Sequence, residues 1–156
     1  MTDQLERAAR VPRRVTLFSP ILKFLLTHGV PLGPNGLITI RGRTSGLPRT
    51  TPLAVVEFSG RRFVWAPWGE VQWVRNLRAA GRATITHHGR KEDVQATELD
   101  PTERIAFFRD TLGPLAHSIP FGVQFMRFVD GVDINHPLEA AKGRRVFELH
   151  PLEAAG

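Results

Sequence analysis

Short apolar runs alternate with turn residues through the first half of this chain, and their spacing predicts β-strands. The runs lie at residues 37–40, 50–58 and 63–65. Their length and their content of β-branched and aromatic residues are typical of strands. Ser59 and Gly60, between the second and third runs, predict a tight hairpin turn. Pro52 lacks an N–H donor, so it predicts a break, a bulge or an edge position within the second strand.

A second pair of strands is predicted farther along, at 83–86 and 94–97, across a turn at 88–90. Between the two pairs, apolar residues at 73, 74, 77 and 80 follow a helical period, which predicts a short helix ending at Gly81. The alternating run 145–149 predicts a final strand. The stretch 113–129 is ambiguous and is interpreted as a loop and a short helix.

The segment that begins at Asp100 carries the signals of a helix N-terminus. Asp100 is a capping residue, Pro101 fits the first turn, and Glu103 occupies the third position of a capping box. The helix that follows is expected to present Ile105, Phe108 and Leu112 on one face. Residues 3–28 also predict helix, in two pieces separated near Pro12 or Pro20.

These elements predict a single α+β domain over residues 1–156. Residues 1–30 form a helical N-terminal segment, and residues 37–150 form a barrel with its helices. About six strands, mostly antiparallel, are best accommodated by a closed or half-closed barrel, because closure removes exposed strand edges. The apolar stretch 21–26 is too short to cross a bilayer. With basic residues nearby, the segment 13–28 either covers one end of the core or lies on a lipid surface.

Composition narrows the chemistry. The chain has 156 residues and no cysteine, which excludes disulfides, zinc–thiolate sites, iron–sulfur clusters and cysteine nucleophiles. The N-terminus lacks the basic start of a secretory signal. A cytoplasmic location, with membrane association through 13–28 as an alternative, is therefore expected.

Basic charge is concentrated in the middle of the chain. Residues 41–91 carry ten basic and two acidic side chains, a net charge of +8, whereas residues 92–156 carry six basic and eleven acidic side chains, a net charge of −5. Such a focused positive field favours an anionic partner, namely a phosphorylated cofactor, a nucleic acid or an acidic membrane. No nucleic-acid partner is expected, because the aromatic residues follow no RNA- or DNA-binding pattern and the C-terminal third is acidic.

The histidines do not predict a metal site. His87 and His88 are adjacent in a predicted strand, so their side chains should point to opposite faces. The other four lack the spacing of paired metal ligands. We therefore expect no bound metal.

The loop between the first two strands combines glycine, hydroxyl and arginine residues. Gly42 and Gly46 allow backbone N–H groups to approach a ligand closely. Ser45 adds a hydroxyl donor, and Arg43 and Arg49 add positive charge. Such a loop can hold a phosphate or a carboxylate. The alternative is a solvated hairpin whose arginines project into water.

A second candidate constellation begins in the turn after the third strand and continues into the short helix. Trp73 and Asn76 are three residues apart and share a helical face. A planar ring could pack on Trp68 or Trp73, and the helix N-terminus offers amide donors to an anion or to a carbonyl edge. The alternative places Trp65 and Trp73 in the core and Asn76 at the surface or bridging loops.

The ordered motifs are Gly42-Arg43-x-Ser45-Gly46-x-Pro48-Arg49-x-x-Pro52, then Gly69, then Trp73-x-x-Asn76-Leu77-Arg78-Ala79-x-Gly81. In this combination the chain resembles the deazaflavin-dependent nitroreductase family, a branch of the split-barrel flavin-binding folds. The resemblance spans residues 37–112 and 144–150. It implies a split β-barrel that binds coenzyme F420, an 8-hydroxy-5-deazaflavin with a phosphate and an oligoglutamate tail. The implied reaction is hydride transfer to a small hydrophobic substrate.

The resemblance also implies roles for individual residues. Arg43, Ser45 and Arg49, with nearby backbone, are expected to bind the phosphate and tail. Gly46, Thr51 and Pro52 are also expected to bind the cofactor. The residues expected to line the deazaflavin are Ala66, Pro67, Trp68 and Gly69. The residues expected to support that site are Trp73, Asn76 and Arg78.

The chain departs from the family pattern in its substrate region. Family members that reduce nitro compounds usually place tyrosines there, and this chain has no tyrosine. A proton donor, if one is needed, would be His117, Ser118, another residue or water, so no catalytic residue is assigned. Trp68 also stands where the family often has a basic residue.

Three interpretations follow. The first is an F420-dependent oxidoreductase acting on a quinone, an enone or a nitro compound. The second is a non-catalytic lipid- or cofactor-binding protein with the same barrel, and the third is a relative that binds FMN. A homodimer is compatible with each of them.

Overall fold

The computed structural model describes residues 35–67, 69–118, 120–129 and 131–152. The predicted helical segment 3–28, with its proposed membrane contact, and Trp68 lie outside these ranges. Within them, six strands form a closed barrel in the order β1-β2-β3-β6-β5-β4, and every neighbouring pair is antiparallel. The strands are β1 (Asn35–Arg41), β2 (Pro48–Phe58), β3 (Arg61–Ala66), β4 (Arg82–His87), β5 (Arg90–Glu98) and β6 (Arg145–Pro151). The predicted barrel is confirmed.

Two tight turns join the hairpins β2–β3 and β4–β5. Ser59 and Gly60 have φ of 52° and 75°, and His88 and Gly89 have φ of 51° and 74°. Positive φ at both turn residues matches the right-handed twist of the flanking strands. The expectation that His87 and His88 point to opposite faces is wrong. Because His88 belongs to the turn, its ring tilts against that of His87, with centroids 3.9 Å apart.

The N-terminal half of β2 extends beyond one of its neighbours. It pairs with β1 from Pro48 to Ala54, whereas its pairing with β3 begins at Val55. Pro52 lies in the part that lacks β3, so the edge position is the correct one of the three alternatives. The N-terminal half of β2 therefore projects past β3 with one edge unpaired, and this edge borders the candidate site.

Alternating side chains divide the core into two clusters. One fills the barrel interior and includes Val55 and Phe147. The other lies between the outer barrel surface and the helices and includes Val56 and Val146. Adjacent residues of one strand thus serve different clusters, which is the period-two pattern expected of a strand covered on both faces.

Five α-helices are present in the described ranges. They are α1 (Gln72–Ala80), α2 (Pro101–Ala106), α3 (Gly113–Ser118), α4 (Gly122–Val129) and α5 (Pro137–Ala141). The predicted end of α1 at Gly81 is confirmed by its left-handed φ of 70°. The predicted capping box is also confirmed, because Glu103 N–H donates to Asp100 Oδ1 at 2.8 Å and Asp100 N–H donates to Glu103 Oε1 at 3.1 Å.

A π-helical turn over Phe107–Leu112 connects α2 to α3 and was not predicted. It allows two adjacent phenylalanines to be buried together. Phe107 packs on Phe63 with centroids 5.0 Å apart, and Phe108 meets Trp65 edge-on at 5.5 Å. The ambiguous stretch 113–129 contains two helices, α3 and α4. No helix among the described residues has the length and apolarity needed to span a bilayer.

Candidate functional site

A groove of about 730 Å³ opens where β2 extends beyond β3. One wall is the loop between β1 and β2, and the other is the beginning of α1. The described residues that line it are Ile40, Gly42, Arg43, Thr44, Ser45, Pro48, Arg49, Thr50, Thr51, Gln72, Trp73 and Asn76. The two constellations singled out in the sequence therefore face each other across one groove.

The loop between β1 and β2 is held by its own hydrogen bonds. Gly42 N–H donates to the Leu47 carbonyl at 2.8 Å, and Gly46 N–H donates to the Gly42 carbonyl at 2.9 Å. A Cβ on Gly42 would lie 2.7 Å from Ser45 Oγ, and Gly46 has a φ of +70°. A side chain at position 42 would therefore displace the Ser45 hydroxyl, and one at position 46 would strain the backbone, so both positions favour glycine.

Asn76 of α1 joins this loop to the helix. Its Oδ1 accepts hydrogen bonds from Arg43 Nη1 at 2.8 Å and from the Arg43 backbone N–H at 3.2 Å. Asn76 is a buried polar residue, 7% exposed. Both groups that meet this atom are donors, which identifies it as the amide oxygen. The contact fixes the side chain and the backbone of Arg43 at the groove.

The groove presents hydrogen-bond donors and positive charge. Arg43 and Arg49 supply two guanidiniums, and four hydroxyl residues lie beside them. None of the described lining residues is acidic, and Arg49 forms no ion pair with any described residue. Such a donor set suits an anion with several oxygens, because charge-assisted hydrogen bonds from guanidinium to phosphate or carboxylate are strong.

The opposite wall is aromatic and contains a helix N-terminus. Trp73 is half-buried, and its ring centroid lies 6.1 Å from that of Phe147 in the barrel interior. Gln72 and Trp73 are the first two residues of α1, and its first turn contains no acidic residue. The wall therefore offers a flat apolar surface beside the positive end of the helix dipole.

Six of the predicted cofactor-binding residues converge on this groove, and the other described ones do not line it. Arg43, Ser45, Arg49, Thr51, Trp73 and Asn76 are those that converge. Gly46 and Pro52 belong to the same loop and strand without lining the groove. Ala66 and Gly69 are buried and Pro67 is half-buried at the end of β3. Their predicted contact with the deazaflavin ring stays a prediction, as does that of Trp68.

Arg78 takes part in a network of ion pairs away from the groove lining. It lies 2.9 Å from Glu98 Oε2 and 3.0 Å from Glu70 Oε1, and Arg145 lies 3.2 Å from the same Glu70 oxygen. Burial acts to raise the pKa of Glu70, but the hydrogen bond from Arg78 and the nearby arginine charges outweigh it and lower that pKa. Glu70 follows Gly69, so Arg78 stabilises the turn where ring contacts are predicted.

The two candidate proton donors named in the sequence lie at the end of α3. His117 Nδ1 is 2.8 Å from the Gly113 carbonyl, and the Ser118 hydroxyl donates to the Leu115 carbonyl at 2.6 Å. Both are exposed, and neither lines the groove. In the part of the chain that the structure describes, no group of three or more histidine and carboxylate side chains could hold a metal ion.

A family model described as F420H(2)-dependent quinone reductase matches residues 25–116, more than half of the chain and the whole groove lining. The chain belongs to this family. The resemblance noted in the sequence is thereby confirmed. Members of the F420H(2)-dependent quinone reductase family are oxidoreductases that use coenzyme F420, so both the class of enzyme and the cofactor agree with expectation. Among curated proteins, none matches this chain.

Solved structures share the fold at low sequence identity. A structure of an F420-H2 dependent reductase is 22% identical, with a TM-score of 0.49, covering 75% of this chain and 94% of its own. A pyridoxamine 5'-phosphate oxidase-related, FMN binding protein from Nostoc punctiforme is 11% identical, with a TM-score of 0.50, and the match covers 86% of this chain and 80% of that protein. The latter shows that this α+β barrel with flanking helices is the split-barrel fold.

The donor set of the groove fits the cofactor of the F420H(2)-dependent quinone reductase family. Coenzyme F420 carries a phosphate and carboxylates on one arm and a planar ring at the other end. The loop around Arg43 and Arg49 provides donors without a competing carboxylate, and Trp73 provides an aromatic surface across the groove. Sequence reasoning found these groups but did not find the hydrogen bonds between Asn76 and Arg43, because residues 33 positions apart meet only in the folded barrel.

Proposed function

We propose that this protein binds reduced coenzyme F420 in the groove between the β1–β2 loop and α1, and reduces a small hydrophobic or conjugated acceptor. A quinone is the first candidate acceptor, followed by an enone and a nitro compound. The proposal depends on one observation. Two arginines with no acidic residue beside them line the groove opposite Trp73, which lies at the N-terminus of α1. The family to which the chain belongs supports the same cofactor.

In this proposal the chain binds and orients the coenzyme. Arg43 and Arg49 bind its anionic arm through charge-assisted hydrogen bonds, with hydroxyl donors beside them. Trp73 supports the planar ring and reduces access of water to it. When bound, the reduced deazaflavin supplies the hydride, so the protein contributes position and electrostatics. Neither His117 nor Ser118 lines the groove, so neither is assigned as the proton donor in this proposal.

The proposal is tested by titrating purified protein with coenzyme F420 while following tryptophan fluorescence. Trp73 lines the groove, so saturable quenching at micromolar coenzyme is expected. Turnover of the reduced coenzyme is then measured with a menaquinone-like quinone, an enone and a nitroaromatic. A folded protein that shows no saturable binding would overturn the proposal.

FMN provides the matched control ligand, because it combines a phosphate with a planar ring but lacks the oligoglutamate tail. A yellow preparation, or FMN binding tighter than that of F420, would assign the groove to the flavin instead. Binding of F420 without turnover of any acceptor would leave a cofactor-binding protein without the proposed reductase activity.

A further inference from the structure

We infer that Asn76 is a positioning residue: it holds Arg43 toward the groove with a neutral acceptor, so that the guanidinium is fixed without being neutralised. The coenzyme-affinity part of this inference rests on the proposed function. The contact itself does not, because it is present in the protein alone. The inference thus concerns how the site keeps its charge available.

Asn76 holds both the side chain and the backbone of Arg43. One amide oxygen accepts from Arg43 Nη1 at 2.8 Å and from Arg43 N–H at 3.2 Å. A single side chain therefore fixes both the start of the loop and the direction of its guanidinium. An exposed arginine that is free to rotate would otherwise lose side-chain entropy on binding an anion. Positioning in advance reduces that cost.

Asn76 lies on α1, whose beginning forms the aromatic wall of the groove. Trp73 lies three residues earlier and lines the same groove. The hydrogen bonds from Arg43 therefore join the arginine wall to the aromatic wall, and they help to set the distance between the two. A ligand that bridges both walls requires that distance to be fixed.

The acceptor of both hydrogen bonds is a neutral amide rather than a carboxylate. Several arginines elsewhere in the described chain are paired with carboxylates, as in Arg61 with Glu148 and Arg62 with Glu92, whereas Arg104 donates to a neutral backbone carbonyl. A carboxylate at position 76 could accept the same two hydrogen bonds. It would also cancel the positive charge of Arg43 and repel an incoming anion. An amide gives the same geometry and leaves the charge available.

The coenzyme-binding test uses Asn76→Ala, Asn76→Asp, Arg43→Ala and the double variant Asn76→Ala/Arg43→Ala, with dissociation constants measured for coenzyme F420. Asn76→Ala and Arg43→Ala are each expected to weaken binding about tenfold, the loss of one charge-assisted contact. The double variant should be no weaker than Arg43→Ala alone, because Asn76 acts through Arg43. Losses that multiply in the double variant would overturn the inference.

Asn76→Asp separates positioning from folding. It keeps an acceptor of the same size, so thermal stability should equal or exceed that of the parent protein, while coenzyme affinity falls about tenfold because Arg43 is neutralised. Parent-like affinity in Asn76→Asp would overturn the inference. The matched control is Arg75→Ala, which removes an exposed charge from the same helix and does not alter the groove lining. It should bind coenzyme within about twofold of the parent protein.

A measurement without coenzyme keeps this inference separate from the proposed function. Hydrogen exchange of the Arg43 backbone amide is measured by NMR in the free protein and in Asn76→Ala. The amide is expected to be protected from exchange in the parent protein. In Asn76→Ala it should exchange about tenfold faster or more. Equal exchange rates would overturn the inference even if coenzyme binds. Failure of the parent protein to bind coenzyme, with protection intact, would overturn the proposed function alone.

Discussion

Two groups of arginines in the basic middle of the chain differ in what holds them. Arg61, Arg62 and Arg78 each lie within 3.0 Å of a carboxylate. Arg43 is held by an amide, and Arg49 forms no ion pair with any described residue. The same residue type therefore stabilises the barrel in one place and offers charge to a ligand in another.

The difference teaches that the position of basic residues in a sequence is a weaker guide to an anion-binding site than whether carboxylates pair with them in the fold. Residues 41–91 carry a net charge of +8, but carboxylates from β5 and β6 neutralise several of those arginines in the fold. These carboxylates come from the acidic C-terminal third. Arg43 and Arg49, which form no ion pair with any described residue, lie together at the groove where an anionic cofactor is expected to bind. The other basic residues of this region without such a pair, namely Arg41, Arg75, Arg82, Arg90 and Lys91, do not line the groove.

The largest expected effect follows removal of the groove arginines. Arg43→Ala/Arg49→Ala should weaken binding of coenzyme F420 about 100-fold or more, because two charge-assisted contacts are lost. The control is Arg61→Ala/Arg62→Ala, which changes net charge equally at the other end of the barrel and should weaken binding less than about threefold. Fluorescence titration measures both. Equal losses in the two variants would show that net charge, rather than the groove, determines affinity.

The next effect concerns salt. Raising ionic strength from about 0.05 to about 0.5 M should weaken coenzyme binding to the parent protein, because exposed charges are screened over a few ångströms at the higher value. The dependence should be shallower in Arg43→Ala/Arg49→Ala. Titrations at several salt concentrations provide the slopes, and the same slope in both proteins would contradict a direct contact between arginine and anion.

Arg78 should show the reverse behaviour of the groove arginines. Arg78→Ala removes contacts to Glu70 and Glu98 and is expected to lower the free energy of unfolding by about 1 kcal/mol, since the side chain is partly exposed and solvent screens the pairs. The coenzyme affinity of Arg78→Ala should fall less than that of Arg43→Ala. Chemical denaturation and titration measure the two quantities. A larger loss of affinity than in Arg43→Ala would make Arg78 a direct ligand of the coenzyme rather than a residue that supports the site.

The smallest effect is a pH-dependent one at Arg61. Its hydrogen bond to Glu148 holds the pKa of that carboxyl below its usual value. Because the pKa of Glu148 is lower in the folded state than in the unfolded state, its ion pair stabilises the protein at pH values above the pKa of the unfolded state. This stabilisation is lost as the pH falls through the pKa of the folded state. Arg61→Ala should therefore cost about 0.5 kcal/mol at neutral pH, because this pair is exposed, and progressively less below about pH 4. Denaturation at several pH values measures the difference, and a constant difference would contradict the pairing.

The barrel could be predicted because its signals are local. Alternating apolar residues, the two-residue turns at Ser59 and His88 and the capping box at Asp100 each act over a few positions. The π-helical turn at Phe107 could not be predicted, because it depends on Phe63 and Trp65 from a distant strand. The short helix α5 was also missed, since its five residues give too little periodicity to detect.

The candidate site was predictable by residue type and less so by arrangement. Glycine, hydroxyl and arginine residues in one loop indicated an anion, and Trp73 with Asn76 on one helical face indicated a second wall. The contact between Asn76 and Arg43 depends on how the barrel places α1 against the loop. For Arg78, the motif indicated importance, but the carboxylates that hold it, Glu70 and Glu98, are specified by tertiary structure.

A crystal structure with coenzyme F420 bound tests the central claim most directly. We expect oxygens of the phosphate or the tail within about 3.2 Å of guanidinium nitrogens of both Arg43 and Arg49. The hydrogen bonds from Arg43 to Asn76 should be retained, and the ring should contact Trp73. An anionic arm bound elsewhere, with both guanidiniums directed into solvent, would contradict the account.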